Sequence, residues 1–272
     1  MLGLMQQREL LISNILQFAA KFHREAEIVT AKPDGSLVRH TYPEIAARAA
    51  RLANALMARG IAQGERIGTL AWNDHRHLEI YYGVSGLGAV CHTINPRLFA
   101  DQIAFIINDA GDTHLFVDPM FLPLMEGIAD RITEVVGTIV VLADSVPATR
   151  LAERFEVIDY ESFIAAGDDT IAWPSFDENT ASSLCYTSGT TGEPKGVLFS
   201  HRSTLLHAYT MSLPDVFGLG AADVVMPVVP MFHVNAWGLP YGAVLVGASL
   251  AMPGPRLDGA SLHRLSKPRA SP

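Results

Sequence analysis

Short apolar runs alternate with longer amphipathic runs along most of this chain, and that rhythm restricts the fold to few architectures. Thr41-Tyr42-Pro43-Glu44 predicts a helix start, with Thr41 as cap and Glu44 completing a capping box. Ile45, Ala49, Leu52, Ala53, Leu56 and Met57 follow at helical spacing, and Gly60 supplies a left-handed stop. Residues 66–72 predict a buried strand. Asn73 and Asp74 then stand as cap candidates for a helix running to about Leu87.

The alternation continues with strands at 89–94, 114–117 and 138–142 and helices at 99–110, stopped by Gly111, and 119–131. A more polar connector, 144–177, has room for one short strand and one short helix. Beyond it come a strand at 181–186, a Gly/Thr/Ser loop, a helix at 200–213, a strand at 223–229, a helix at 235–246 and a strand at 249–252. Strands separated by helices favour parallel sheets covered on both faces. The expected fold is therefore α/β, with stacked, mostly parallel sheets flanked by helices. Two subdomains are expected: 1–175, with an N-terminal helix and the connector, and 176–265, with the loop. An aberrant tail, 266–272, follows.

With 272 residues, 49% of them hydrophobic, the chain has ample material for a core. A formal net charge of −8 argues against a broad basic surface for nucleic acid. Cys91 and Cys185 each lie in an apolar stretch and read as buried free thiols in a reducing compartment. Arg8 and Glu9 interrupt the apolar N-terminus, which does not read as a signal peptide. The apolar stretch 241–253 is too short to span a bilayer. A cytoplasmic protein is expected, with peripheral membrane contact and a homodimer left open.

The segment Tyr186-Thr187-Ser188-Gly189-Thr190-Thr191-Gly192-Glu193-Pro194-Lys195-Gly196 carries the chemistry. Its glycines let several N–H groups turn toward one anion. Thr187, Ser188, Thr190 and Thr191 add hydroxyl donors, and Lys195 adds charge to offset a polyphosphate. A strand leads in and a helix is expected to lead out, placing the loop at a strand's carboxyl end, where open parallel sheets bind ligands. Lys195 is followed by Gly196, which rules out a Walker A loop, and the dinucleotide G-x-G-x-x-G is absent from the segment. The bland alternative is a surface loop without a ligand, with Lys195 solvated or paired with Glu193.

This loop, continuing through Val197-Leu198-Phe199-Ser200-His201-Arg202, resembles the signature of the adenylate-forming superfamily. That superfamily includes acyl-CoA synthetases, luciferases and peptide-synthetase adenylation domains. Arg66-Ile67-Gly68, Ile94-Asn95-Pro96-Arg97-Leu98 and Val229-Pro230-Met231-Phe232-His233 resemble further family landmarks in the expected order. The resemblance implies a two-step ligase reaction. A carboxylate attacks the α-phosphorus of ATP to give an acyl-adenylate and pyrophosphate, and the thiol of CoA then displaces AMP.

It further implies that Thr187, Ser188, Gly189, Thr190, Thr191, Gly192, Lys195 and Gly196 hold the β- and γ-phosphates. Magnesium (Mg2+) would be bound largely through those phosphates. His233 would wall the carboxylate and acyl pocket, with Asn235, Trp237 and Gly238 as neighbours; its structural alternative is a satisfied core histidine. Around His233 the sequence resembles ligases for fatty acids and for short thioether acids. Neither His201 with His207 nor His75 with His77 has spacing that suits a metal pair on a helix.

Family members are roughly twice as long. The resemblance places an aromatic-Gly-x-Thr-Glu segment, a ribose-binding aspartate and a late catalytic lysine beyond the equivalent of Pro272. The chain is therefore expected to be inactive alone and poorly soluble. Family-like sequence ends near Leu265. With one choice of synonymous codons, the tail read one base earlier spells Phe-Glu-Ala-Glu-Gly-Val-Thr, which suggests a frameshift. The alternative function is a truncated, non-catalytic nucleotide-binding fragment. An unrelated phosphate-binding enzyme such as a kinase would instead release ADP.

Overall fold

The structure is a computed structural model and describes residues 1, 3–5, 7–132, 136–187 and 194–266. Helix α1 (Ile12–Phe22) precedes a hairpin of β1 (Glu27–Ala31) and β2 (Leu37–Thr41). Then come α2 (Tyr42–Ala58), β3 (Arg66–Leu70), α3 (His75–Gly86), β4 (Val90–Thr93), α4 (Ala100–Ala110) and β5 (His114–Val117). They are followed by α5 (Leu122–Ile128), β6 (Thr138–Val141), β7 (Glu156–Asp159) and α6 (Tyr160–Ala165). The remainder is β8 (Ala181–Thr187), β9 (Lys195–Ser200), α7 (His201–Met211), β10 (Val224–Val225), α8 (Leu239–Val246), β11 (Ser249–Met252) and α9 (Gly259–Ser266).

Among the described residues one sheet runs β7-β6-β5-β3-β4-β8-β9, parallel throughout except for the antiparallel pair β8–β9. A second runs β10-β11-β1-β2, with β1 and β2 antiparallel and the rest parallel. The expected α/β class with stacked, mostly parallel sheets stands. The expected division at residue 175 does not follow the sheets. β8 joins β4 in the first sheet and β11 joins β1 in the second, so each sheet draws strands from both sides of that point.

Local chemistry explains most element ends. The Glu44 carboxylate accepts from the Thr41 N–H at 2.6 Å and its hydroxyl at 2.9 Å, and these bonds lower the Glu44 pKa. Gly60 and Gly111 adopt φ +82° and +65° at the ends of α2 and α4. Asp74 caps α3 by accepting from the His77 N–H. The side chains of α3 are buried on all sides, with α2 packed against it through Gly83. One apolar core gathers α1, α2, α3, α6, α7 and α8 between the sheets; a second gathers α4 and α5 on the opposite face of the larger sheet.

Four local expectations are corrected. The signature loop leads out into β9, and α7 begins only at His201. Residues 195–198 of β9 are exposed, so this edge strand lacks the apolar–polar alternation that marks a strand in sequence. The strand expected at 223–229 shortens to Val224–Val225, because Asn73 captures the chain from Pro227 onward. The helix expected at 235–246 starts at Leu239; Val234 to Trp237 instead carry positive φ between 46° and 57°. The helix expected at 119–131 is α5 flanked by two 3-10 turns, Pro119–Phe121 and Ala129–Arg131. The tail beyond 266 lies outside the described residues, and among those described no helix is long and apolar enough to cross a membrane.

Candidate functional site

Three pieces of chain meet beyond the carboxyl ends of β3, β4 and β8. The first is the β8–β9 hairpin. Thr187 and Lys195 are its last registered pair, both exposed. Antiparallel partners stand about 4.5–5.5 Å apart between Cα atoms, so Thr187 and Lys195 are brought together at the end of the hairpin. Ser188, Gly189, Thr190, Thr191 and Gly192 lie outside the described residues.

The next pair down is Tyr186 with Gly196. A Cβ on Gly196 would stand 3.1 Å from Leu184 Cδ1 and 3.2 Å from the Tyr186 ring, so close packing calls for glycine here. The Tyr186 hydroxyl donates to Asp109 at 2.6 Å; burial and that carboxylate raise its pKa. Its ring lies 5.2 Å from that of His92, whose Nδ1 is 2.7 Å from buried Asp112. The root of the hairpin is thus held by the Tyr186 hydroxyl on Asp109 and the Tyr186 ring on His92.

The second piece, residues 227–238, is hung from Asn73 and Asn235. Asn73 Nδ2 donates to the carbonyls of Pro227 and Val229, and its Oδ1 accepts from the Met231 N–H at 2.7 Å. His233 follows, exposed, and its N–H donates to the Pro230 carbonyl. The left-handed turn comes next. Such backbone costs about 1–2 kcal/mol per non-glycine residue. Buried Asn235 offsets part of that cost: its Nδ2 donates to Ser183 Oγ at 2.9 Å and its Oδ1 accepts from the Tyr81 hydroxyl at 3.3 Å. Ser183 is on β8, so the turn is riveted to the strand that ends in Thr187. His207 Nε2 lies 2.9 Å from the Trp237 carbonyl, and Trp237 is 54% exposed.

The third piece is the chain just past the carboxyl ends of β3 and β4. Helices α3 and α4, which follow β3 and β4, lie on opposite faces of the sheet, and the strand order reverses between β3 and its other neighbour, β5. Trp72 stands at the end of β3 between Phe121 at 5.7 Å and Phe232 at 5.6 Å. Arg97, beyond β4, lies over both Trp72 and Phe232.

The structure thus brings Thr187, Lys195 and Gly196 onto one hairpin and anchors the turn after His233 to the same strand. Among the described residues the His233 side chain makes no hydrogen bond. Sequence reasoning read Asn73 only as a cap candidate and missed its role as a hub. Its position directly after an apolar strand was the available signal. Several other histidines are engaged structurally. His77 bridges Thr69 and the Trp72 carbonyl, His75 meets Thr30, and His201 Nδ1 accepts from the Ile12 N–H. Burial lowers the pKa of both His77 and His201 to about 4. Among the described residues no group of three His, Cys, Asp or Glu side chains is placed to hold a metal. Cys91 and Cys185 are free and buried.

A hairpin ending in Thr187 and Lys195 and a turn pinned to the same strand thus stand on a mostly parallel sheet of an α/β protein. The family profile described as AMP-binding enzyme matches residues 16–268, and the chain belongs to that family. It is 53% identical over 97% of its length to the 3-methylmercaptopropionyl-CoA ligase of Ruegeria lacuscaerulensis, covering 49% of that protein. It is 49% identical over 97% of its length to the medium-chain-fatty-acid–CoA ligase of Ectopseudomonas oleovorans, covering 48%. Among solved structures, an anthranilate CoA ligase in complex with anthranoyl-AMP superposes with a TM-score of 0.79 at 26% identity, over 92% of this chain and 46% of that one. The chain spans about half the length of the curated relatives it matches.

Proposed function

We propose that this chain is the phosphate-binding half of an ATP-dependent acyl-CoA ligase. That enzyme converts a carboxylic acid to an acyl-adenylate and then to the CoA thioester. The observation that carries the reading is the end of the hairpin, where Thr187 and Lys195 are paired, Thr187 on a strand that also anchors the turn after His233. The relatives' names favour a medium-chain fatty acid or a short thioether acid as substrate.

In this reading the loop, with Ser188, Gly189, Thr190, Thr191 and Gly192, wraps the β- and γ-phosphates. Lys195 neutralises charge as pyrophosphate departs, and Thr187 donates from the opposite rim. His233 lines the place where the carboxylate approaches the α-phosphorus. Positioning and charge neutralisation carry most of such a reaction. Magnesium would be held largely through the phosphates, adding to the charge neutralisation that Lys195 supplies, and CoA would follow once the adenylate has formed. We place the enzyme in the cytoplasm, where buried Cys91 and Cys185 stay reduced. Membrane contact and dimerisation are not required by this scheme.

The test is equilibrium binding of Mg-ATP to the chain and to Lys195→Ala, with product analysis after adding octanoate and CoA. Loss of a charge-assisted phosphate contact should weaken binding roughly ten- to a hundredfold. Equal affinity in the variant, or release of ADP instead of AMP, would sink the reading. A second reading rests on the half-length coverage: a nucleotide-binding fragment without catalysis, which would bind ATP and form no thioester.

A further inference from the structure

We propose that Arg97 is an oxyanion-binding residue just past the carboxyl end of β4, contacting a phosphoryl or carboxylate group of the substrates; this rests on the ligase reading. Its guanidinium carbon lies 5.9 Å from the Trp72 ring centroid and 5.6 Å from that of Phe232. At these distances the group engages the two rings by cation–π attraction, which uses none of its N–H donors as a hydrogen bond. Arginines elsewhere in the fold, such as Arg48, Arg59 and Arg131, are matched with Glu79, Glu156 and Asp101. Among the described residues Arg97 has no carboxylate and its guanidinium makes no hydrogen bond, although the residue is exposed.

The geometry is pre-set. The Arg97 N–H donates to Asn95 Oδ1 at 3.0 Å, fixing the turn after β4, and Pro96 restricts the backbone between them. Phe232 is the residue before His233, so the guanidinium sits beside the proposed acid-binding turn. The cluster contains one more donor without a partner, the buried Trp72 Nε1. A guanidinium without a carboxylate at the carboxyl edge of a parallel sheet suits a planar or tetrahedral oxyanion, which it binds bidentately.

Trp72 serves as the reporter. Its emission is isolated as the difference between the wild-type chain and Trp72→Phe, and is titrated with inorganic pyrophosphate and, separately, with octanoate at constant ionic strength. A saturable change is expected for at least one probe, and the responding probe tells phosphoryl from carboxylate. Arg97→Gln should raise the dissociation constant at least tenfold, and Arg97→Lys should restore part of the response. An unchanged constant in Arg97→Gln, with native circular dichroism, overturns the proposal, as does the absence of a saturable response to either probe. Lys195→Ala separates the two readings: ATP affinity that depends on Lys195 while Arg97→Gln leaves every constant unchanged would sink only the Arg97 assignment.

Discussion

Asp74 caps α3 from a position where burial raises its pKa to about 7, with Asp118 adding repulsion. A carboxyl group whose pKa is raised in the folded state favours folding at low pH. That contribution is intact below the unfolded pKa near 4 and is lost as pH rises toward 7. Asp74→Asn keeps an acceptor for the His77 N–H and removes the titration. Its stability, measured by urea unfolding, should therefore fall less than that of the wild type between pH 4 and pH 7; parallel profiles would contradict the assignment. His77 works in the opposite sense. With a pKa lowered to about 4, its contribution is present above pH 6.5 and fades as pH falls toward 4. Val234 offers a second test. It is β-branched, 38% exposed and held at φ +46°, a conformation natural only to glycine and Asn-like residues. Val234→Gly should raise stability by about 1 kcal/mol, read as a higher urea midpoint at unchanged slope. A loss of stability would mean the turn is less strained than its dihedrals imply.

At the level of elements, the sequence revealed those segments whose own chemistry decides their shape. The capping box at Thr41 and Glu44, the glycine stops at 60 and 111, and the connector's short strand and helix all form where local residues dictate. The elements that were missed depend on partners distant in sequence. The β1–β2 hairpin gains a neighbour only when β11 arrives, and β9 exists because β8 offers it an edge. Asn73 turns an expected strand into a pinned loop across more than 150 residues of sequence. The turn at 234–237 could not be read at all, since its left-handed backbone is imposed by Asn235 reaching Ser183 and Tyr81. The same holds for the site. Lys195 and Thr187 were visible as residue types in a loop, whereas the way their strand is tied to the turn after His233 required the fold.

For the whole molecule, the two sheets leave different edges open. β9 closes the larger sheet with Leu198 60% exposed and Val197 40% exposed, and β10 ends the smaller one with Val224 71% exposed. Unpaired apolar edges invite chains to pair with one another, and a charge placed on such an edge opposes it. The chain should associate as its concentration rises, as light scattering would show, and Leu198→Lys should reduce that association. A chain that stays monomeric at high concentration would show that these edges are harmless.

The pairing of β1 with β11 also has a temporal side. Glu27 and Ser249, hydrogen-bonded to each other, are separated by 222 positions, nearly the full length of the chain. A ribosome therefore releases the first strand long before it has made the strand that will lie beside it. Until then Ile28 and its hairpin have no lateral neighbour. Contacts between such distant residues slow folding and prolong exposure of apolar surface. A nascent chain halted before residue 249 would present that hairpin without the strand that pairs beside it.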